Sequence, residues 1–92
     1  MEDRFALTTV SFPSVVSIFT FAFQYCYNLL SFYLLGSSVP TLSTSAFYST
    51  PIDGYTASTG GVYGSIFVPS SLYNQYIVAT NWSDISARIV SI

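Results

Sequence analysis

Apolar positions are concentrated in one stretch of the chain. Residues 14–35, SVVSIFTFAFQYCYNLLSFYLL, include no Asp, Glu, Lys or Arg. As an α-helix rising about 1.5 Å per residue, this stretch reaches roughly 33 Å, against about 30 Å for the hydrocarbon core of a bilayer. The polar residues within it, Ser14, Ser17, Thr20, Gln24, Asn28 and Ser31, recur every three or four positions. On a helical wheel they occupy an arc of about 120°, and aromatic and aliphatic side chains cover the rest. The spacing predicts one transmembrane helix over 14–35 with a polar stripe packed on another helix. Gln24 and Asn28 are its strongest hydrogen-bonding pair, because an amide in hydrocarbon must find a partner. Pro13 in a first helical turn and Gly36 just past the end suit these bounds.

A second pattern lies inside the first. Over 19–29, Phe19, Phe21, Phe23, Tyr25, Tyr27 and Leu29 alternate with Thr20, Ala22, Gln24, Cys26 and Asn28. Aromatic period two is a strand signature. It fails at both ends, where Val15-Val16 and Leu29-Leu30 put apolar residues on both parities. The alternative to the helix is therefore a β-rich subunit of a homopolymer, its strand completed by neighbouring copies.

The other segments are a short head (1–13), an irregular linker (36–61) and an amphipathic C-terminal part (62–92). The linker is dense in Ser, Thr, Pro and Gly with apolar residues at no fixed period. No internal repeat is read there, since Ser-Thr richness imitates one. Thr50-Pro51-Ile52-Asp53-Gly54 is a turn signal: Pro presets φ, Asp bonds the backbone and Gly accepts positive φ. Beyond it, 62–68 suits a short strand, and Ser70 and Ser71 can cap a helix carrying Leu72, Tyr73, Tyr76, Ile77 and Thr80. A second short helix is predicted from Ser83 or Asp84, with Ile85, Ile89 and Ile92 on one face and Asp84 paired with Arg88. Tyr73, Tyr76 and Trp82 read as anchors at a membrane interface. The fold class expected is thus mainly α: one transmembrane helix, an irregular tail and one or two short C-terminal helices.

Composition strengthens the membrane reading. Charged residues make up 7% of the 92 and hydrophobic ones 51%, against about 25% charged in ordinary soluble domains. The net charge is −2, and the only basic side chains are Arg4 and Arg88, so nucleic acid is not expected as a partner. Glu2 and Asp3 offset Arg4, which argues for a retained anchor rather than a cleavable signal. Arg4 alone on that side weakly favours the N-terminus on the cytoplasmic or matrix-like face of, for instance, an organelle inner membrane. Cys26 reads as an apolar filler within the span.

Chemistry is sparse. Without His or Lys there is no imidazole base, Schiff-base amine or phosphate clamp, and Asp53 and Asp84 stand in separate segments. No catalytic, cofactor-binding or metal-ligating residues are assigned, and no cofactor or small-molecule substrate is expected. Asn81-Trp82-Ser83 matches the N-glycosylation tripeptide. Two function classes follow. One is a small non-catalytic, single-span accessory subunit of a membrane complex of respiratory, photosynthetic or ATP-synthase type, with other integral membrane subunits and the lipid bilayer as partners. The other is a structural protein of a virus particle or homopolymer. A third, a channel-forming or regulatory peptide, has Gln24 and Asn28 lining a self-assembled bundle.

Overall fold

Residues 7–92 are described by the computed structural model; Glu2, Asp3 and Arg4, on which the orientation expected from sequence rests, lie outside the described residues. Among the described residues, short runs of apolar side chains mixed with Ser and Thr form six strands: β1 (Thr9–Phe12), β2 (Ser17–Ile18), β3 (Ser31–Leu34), β4 (Thr41–Leu42), β5 (Ser65–Val68) and β6 (Ile89–Ser91). One helix, α1 (Tyr73–Tyr76), continues a 3-10 turn at Ser70–Leu72, and further 3-10 turns lie at Pro51–Asp53, Ala57–Thr59 and Ser83–Arg88. Four strands make a parallel sheet in the order β1-β3-β5-β6, and β2 pairs in parallel with β4. Each strand lies beside the next strand of its own sheet in chain order. The chain therefore winds as a small stack of coils, each packing chiefly on its neighbours.

Period two decides which side chains meet. Val10, Phe32, Ile66 and Ile89 stand in one register row on the inner face of the sheet, joined there by Leu34 and Val68; from Phe32 to Val68 these residues are fully buried. Ile18 of β2 and Leu42 of β4, register partners, are buried in the same core with Phe23, Phe47, Ile52, Tyr76 and Trp82. The outer row, Ser11, Tyr33, Phe67 and Val90, faces away, and the Tyr33 and Phe67 rings stack with centroids 4.6 Å apart. Gly64 is required by contact: a Cβ there would come 2.7 Å from both Ile52 Cγ1 and the Leu29 carbonyl oxygen.

The structure corrects the membrane reading. Among the described residues no helix is long and apolar enough to cross a membrane. A single-pass placement and a mainly α fold are therefore not supported, and the fold is a small α/β type built on a parallel sheet. Residues 14–35 instead contain β2, a series of turns over 20–25, and β3. Their high hydropathy arises because this stretch feeds the core from both strands and turns, and parallel strands buried in a core read as apolar runs. The alternating stretch 19–29 is not a strand either. Phe23, Cys26 and Leu29 are buried, whereas Phe19, Phe21 and Tyr25 are exposed.

Backbone geometry explains why neither period holds. Phe21 and Tyr25 adopt left-handed φ of 59° and 65°, and Ser45 and Ser49, their counterparts in the next coil, adopt 60° and 58°. Left-handed non-glycine residues persist only where their surroundings over-determine them. Here hydrogen bonds between coils do so: the N–H groups of Phe21, Phe23 and Tyr25 donate to the carbonyls of Ser45, Ala46 and Tyr48 at 3.2, 2.9 and 3.0 Å. SVVSI at 14–18 and FAF at 21–23 recur as SVPTL at 38–42 and SAF at 45–47. This is a true structural repeat, one coil on the next with constant spacing, masked by replacement of Phe with Ser at exposed corners.

Locally, the turn at 50–54 forms as its residues dictate. The Thr50 hydroxyl donates to the Phe47 carbonyl at 2.8 Å and accepts the Asp53 N–H at 3.3 Å, and Gly54 takes φ 100°. Tyr76, at the end of α1, is buried, and desolvation pushes its phenol up to about 12 from the ordinary 10.0. Between those values the folded chain keeps a proton that the unfolded chain has released. Stability is thus expected to be full below about pH 10 and to fall as pH rises toward 12, by on the order of 1 kcal/mol per unit. Thermal melts across this range check it, and Tyr76→Phe should flatten the fall.

Candidate functional site

The left-handed corners put aromatic side chains where water meets them. Phe21, Tyr25 and Tyr27 come from one coil and Tyr48 and Tyr55 from the next, and their rings form a continuous chain. Centroid separations are 5.9 Å for Phe21–Tyr48, 6.1 Å for Tyr48–Tyr25, 5.8 Å for Tyr25–Tyr27 and 5.0 Å for Tyr27–Tyr55. Phe21, Tyr25, Tyr48 and Tyr55 are each 38–46% exposed, and Tyr27 is half-buried. A left-handed residue points its side chain away from the path a strand or helix would give it, which is how Phe21 and Tyr25 leave the core. The ridge is anchored by the hydrogen bonds between coils at 21–25 and 45–48, so the rings stand on rigid backbone.

The residues singled out from sequence fall elsewhere. Ser14, Thr20, Gln24 and Asn28 lie in connecting segments, Ser17 is in β2 and Ser31 in β3; without a helix over 14–35 they share no helical face. Among the expected interfacial anchors, Tyr76 and Trp82 are core residues and Tyr73 is half-buried. Their rings read as membrane anchors because an aromatic with a polar tip suits a bilayer interface and a core equally. Trp82 Nε1 donates to the Pro40 carbonyl at 2.8 Å, inside the fold. Asn81 Nδ2 likewise donates to the Leu42 carbonyl at 2.6 Å; the amide that glycosylation would modify holds the fold together.

Folding also joins what the sequence separates. Asp53 and Asp84 line one small cleft with Ile52, Ile85, Ala87 and Arg88, of about 110 Å³, well below the ~300 Å³ at which small-molecule sites begin. Partial burial raises the Asp53 carboxyl above its usual range. The Arg88 guanidinium lies over the Tyr63 ring, 3.8 Å from its centroid, a cation–π contact in place of the expected pairing with Asp84. No group of three or more potential metal ligands occurs among the described residues.

The ridge was not legible from sequence because Phe21, Tyr25 and Tyr27 fall in the stretch read as a helix and Tyr48 and Tyr55 in the stretch read as an irregular linker. The signal that could have found it is the repeat between coils, which aligns Phe21 with Ser45 and Tyr25 with Ser49. Fold and surface together define a small parallel-sheet stack of coils bearing an exposed aromatic ridge. Compared with known proteins, the chain matches no family model, and no curated protein and no solved structure gives a match.

Proposed function

We propose that this chain is a small non-catalytic recognition module that binds a protein partner through the ridge of Phe21, Tyr25, Tyr27, Tyr48 and Tyr55. The observation that carries the reading is a run of rings, partly exposed yet held on hydrogen-bonded backbone. Tyrosine supplies large amphipathic contact area at low conformational cost, and such rings dominate binding hot spots. The surrounding Ser and Thr resemble the adaptable polar residues that accompany tyrosine in binding loops. Stacked coils are a common platform for such surfaces. A catalytic role has little to draw on, the sequence having no His or Lys to act as base or nucleophile.

The test compares the chain with a Tyr25→Ala/Tyr48→Ala variant, both tagged, in quantitative affinity purification from the native source. Both rings are at the surface, so the variant should melt within a few degrees of the parent. One or a few chains are expected to be lost by tenfold or more, since truncating a hot-spot ring costs about 2 kcal/mol or more. An unchanged set of retained chains, with a folded variant, refutes the ridge as the binding surface.

A further inference from the structure

The chain has eight tyrosines, and folding sorts them by neighbour. Tyr33 stacks on Phe67, Tyr63 lies under the Arg88 guanidinium and Tyr76 meets Trp82 edge-on. Tyr25, Tyr27, Tyr48 and Tyr55 instead meet one another. The closest pair among them is Tyr27 and Tyr55, with centroids 5.0 Å apart and planes 33° from parallel; Tyr25–Tyr27 and Tyr25–Tyr48 stand at 5.8 and 6.1 Å. Tyr27 belongs to one coil and Tyr55 to the next. The backbone under both is fixed: the Tyr27 N–H donates to the Tyr25 carbonyl and the Tyr55 N–H to the Thr50 carbonyl, each at 2.9 Å, and the Tyr25 N–H ties the two coils together at the Tyr48 carbonyl.

Adjacent phenols are the substrate of oxidative coupling. A carbon–carbon bond between their ortho positions holds the two ring centres about 4.3 Å apart, just inside the closest ordinary aromatic contacts. Tyr27 and Tyr55 reach that separation by ring movements under about 1 Å, the thermal amplitude of surface side chains. The thiol and the indole that would otherwise quench a phenoxyl radical are shielded: Cys26, the sole cysteine, and Trp82, the sole tryptophan, are each 1% exposed. Tyr25, Tyr48 and Tyr55 are open to solvent. A radical formed at any of them passes between adjacent phenols along the ridge and is trapped where two rings are closest.

We propose that Tyr27 and Tyr55 are a modification site, coupled by oxidation into a dityrosine that staples one coil to the next. The oxidant is hydrogen peroxide acting through a haem peroxidase. Each phenol gives up one electron and its hydroxyl proton, and the two radicals join through their ortho carbons. The hydrogen on each of those carbons then moves to the oxygen, which restores both phenols. In sum two C–H bonds are replaced by one C–C bond, and the two electrons and two protons released reduce one peroxide to two waters. The link closes the chain between positions 27 and 55 into a ring. It thereby restricts the unfolded chain and stabilises the fold, as cross-links that close long loops do. The coupling needs nothing bound on the ridge, so it stands apart from the recognition reading.

The purified full chain at micromolar concentration, treated with a haem peroxidase and one equivalent of hydrogen peroxide, tests this. The expected product is a monomer lighter by two hydrogen atoms, with dityrosine fluorescence and with its Tyr27 and Tyr55 peptides joined after proteolysis. Coupling within one molecule runs at an effective concentration far above micromolar, so the yield should hold when the protein is diluted about tenfold. Tyr27→Phe and Tyr55→Phe keep the rings and remove the phenols, and each should cut the yield of cross-linked monomer by about tenfold or more; Tyr63→Phe should leave it unchanged. The cross-linked monomer should melt about 10 °C above the untreated chain. Should a Phe variant fold poorly, peptide mapping of the parent decides alone. No cross-linked monomer, links that map to other tyrosines, dimers that vanish on dilution as the sole product, or an unshifted melting point overturns the proposal.

Discussion

Trp82→Ala is expected to lower the unfolding free energy by about 3–5 kcal/mol, as for large aromatic truncations in cores. Trp82 is 1% exposed, meets Tyr76 edge-on with centroids 5.1 Å apart and packs 6.5 Å from Phe47. Its loss leaves a cavity between the C-terminal segment and the coils before it. It also strips the Pro40 carbonyl of the donor that stands where a further strand would pair. Small domains have only about 5–15 kcal/mol of stability in total, so the variant should unfold at much lower denaturant. Trp82→Phe keeps most of the ring and removes the hydrogen bond, and should cost about 1–3 kcal/mol. Urea titrations followed by circular dichroism separate the two. A loss under ~1 kcal/mol for Trp82→Ala would contradict its role as the closure of the stack.

Phe32→Ala should cost a similar amount, about 3–5 kcal/mol. The ring is fully buried at the centre of an aromatic cluster, with Phe23 and Phe47 each at 5.0 Å and Phe12 at 5.8 Å. Three coils contribute to that cluster's walls, so no single neighbour can relax to fill the space, and interiors packed to crystal density collapse only in part. Phe67 provides the contrast. It lies beside Tyr33 on the outer face, and Phe67→Ala should cost no more than about 1.5 kcal/mol, chiefly the ring-stacking contribution. Equal losses at the two positions would mean that the inner and outer faces of the sheet are wrongly assigned. Denaturant midpoints at constant slope measure both variants on one scale.

Much of the local structure is written in adjacent residues. Thr50, Pro51, Asp53 and Gly54 form the turn their chemistry specifies, and the chain runs extended over Ser65–Val68 and helical over 70–76. What 14–35 does could not be read the same way. Hydropathy reports how much of a segment leaves water, and burial in a bilayer or in a stack of coils gives the same sum. Polar residues at spacings of three and four imitate a helical stripe even when they fall partly in strands, as Ser17 and Ser31 do, and partly in the segments that connect them. Asp53 and Asp84 stand far apart in sequence, and only the contact between their two 3-10 turns brings them to one cleft.

By itself, then, the sequence determined the turn at 50–54, the extended run within 62–68, the helical start at Ser70, the near absence of charge and the absence of His and Lys. Each of these depends on residue chemistry alone or on neighbours within a few positions. Only the tertiary structure decided that the apolar stretch divides between core and surface. That choice rests on hydrogen bonds from one coil to the next, which hold Phe21 and Tyr25 in left-handed geometry and turn their rings outward. No local preference of phenylalanine or tyrosine favours that conformation, so the ridge exists only once neighbouring coils are in place.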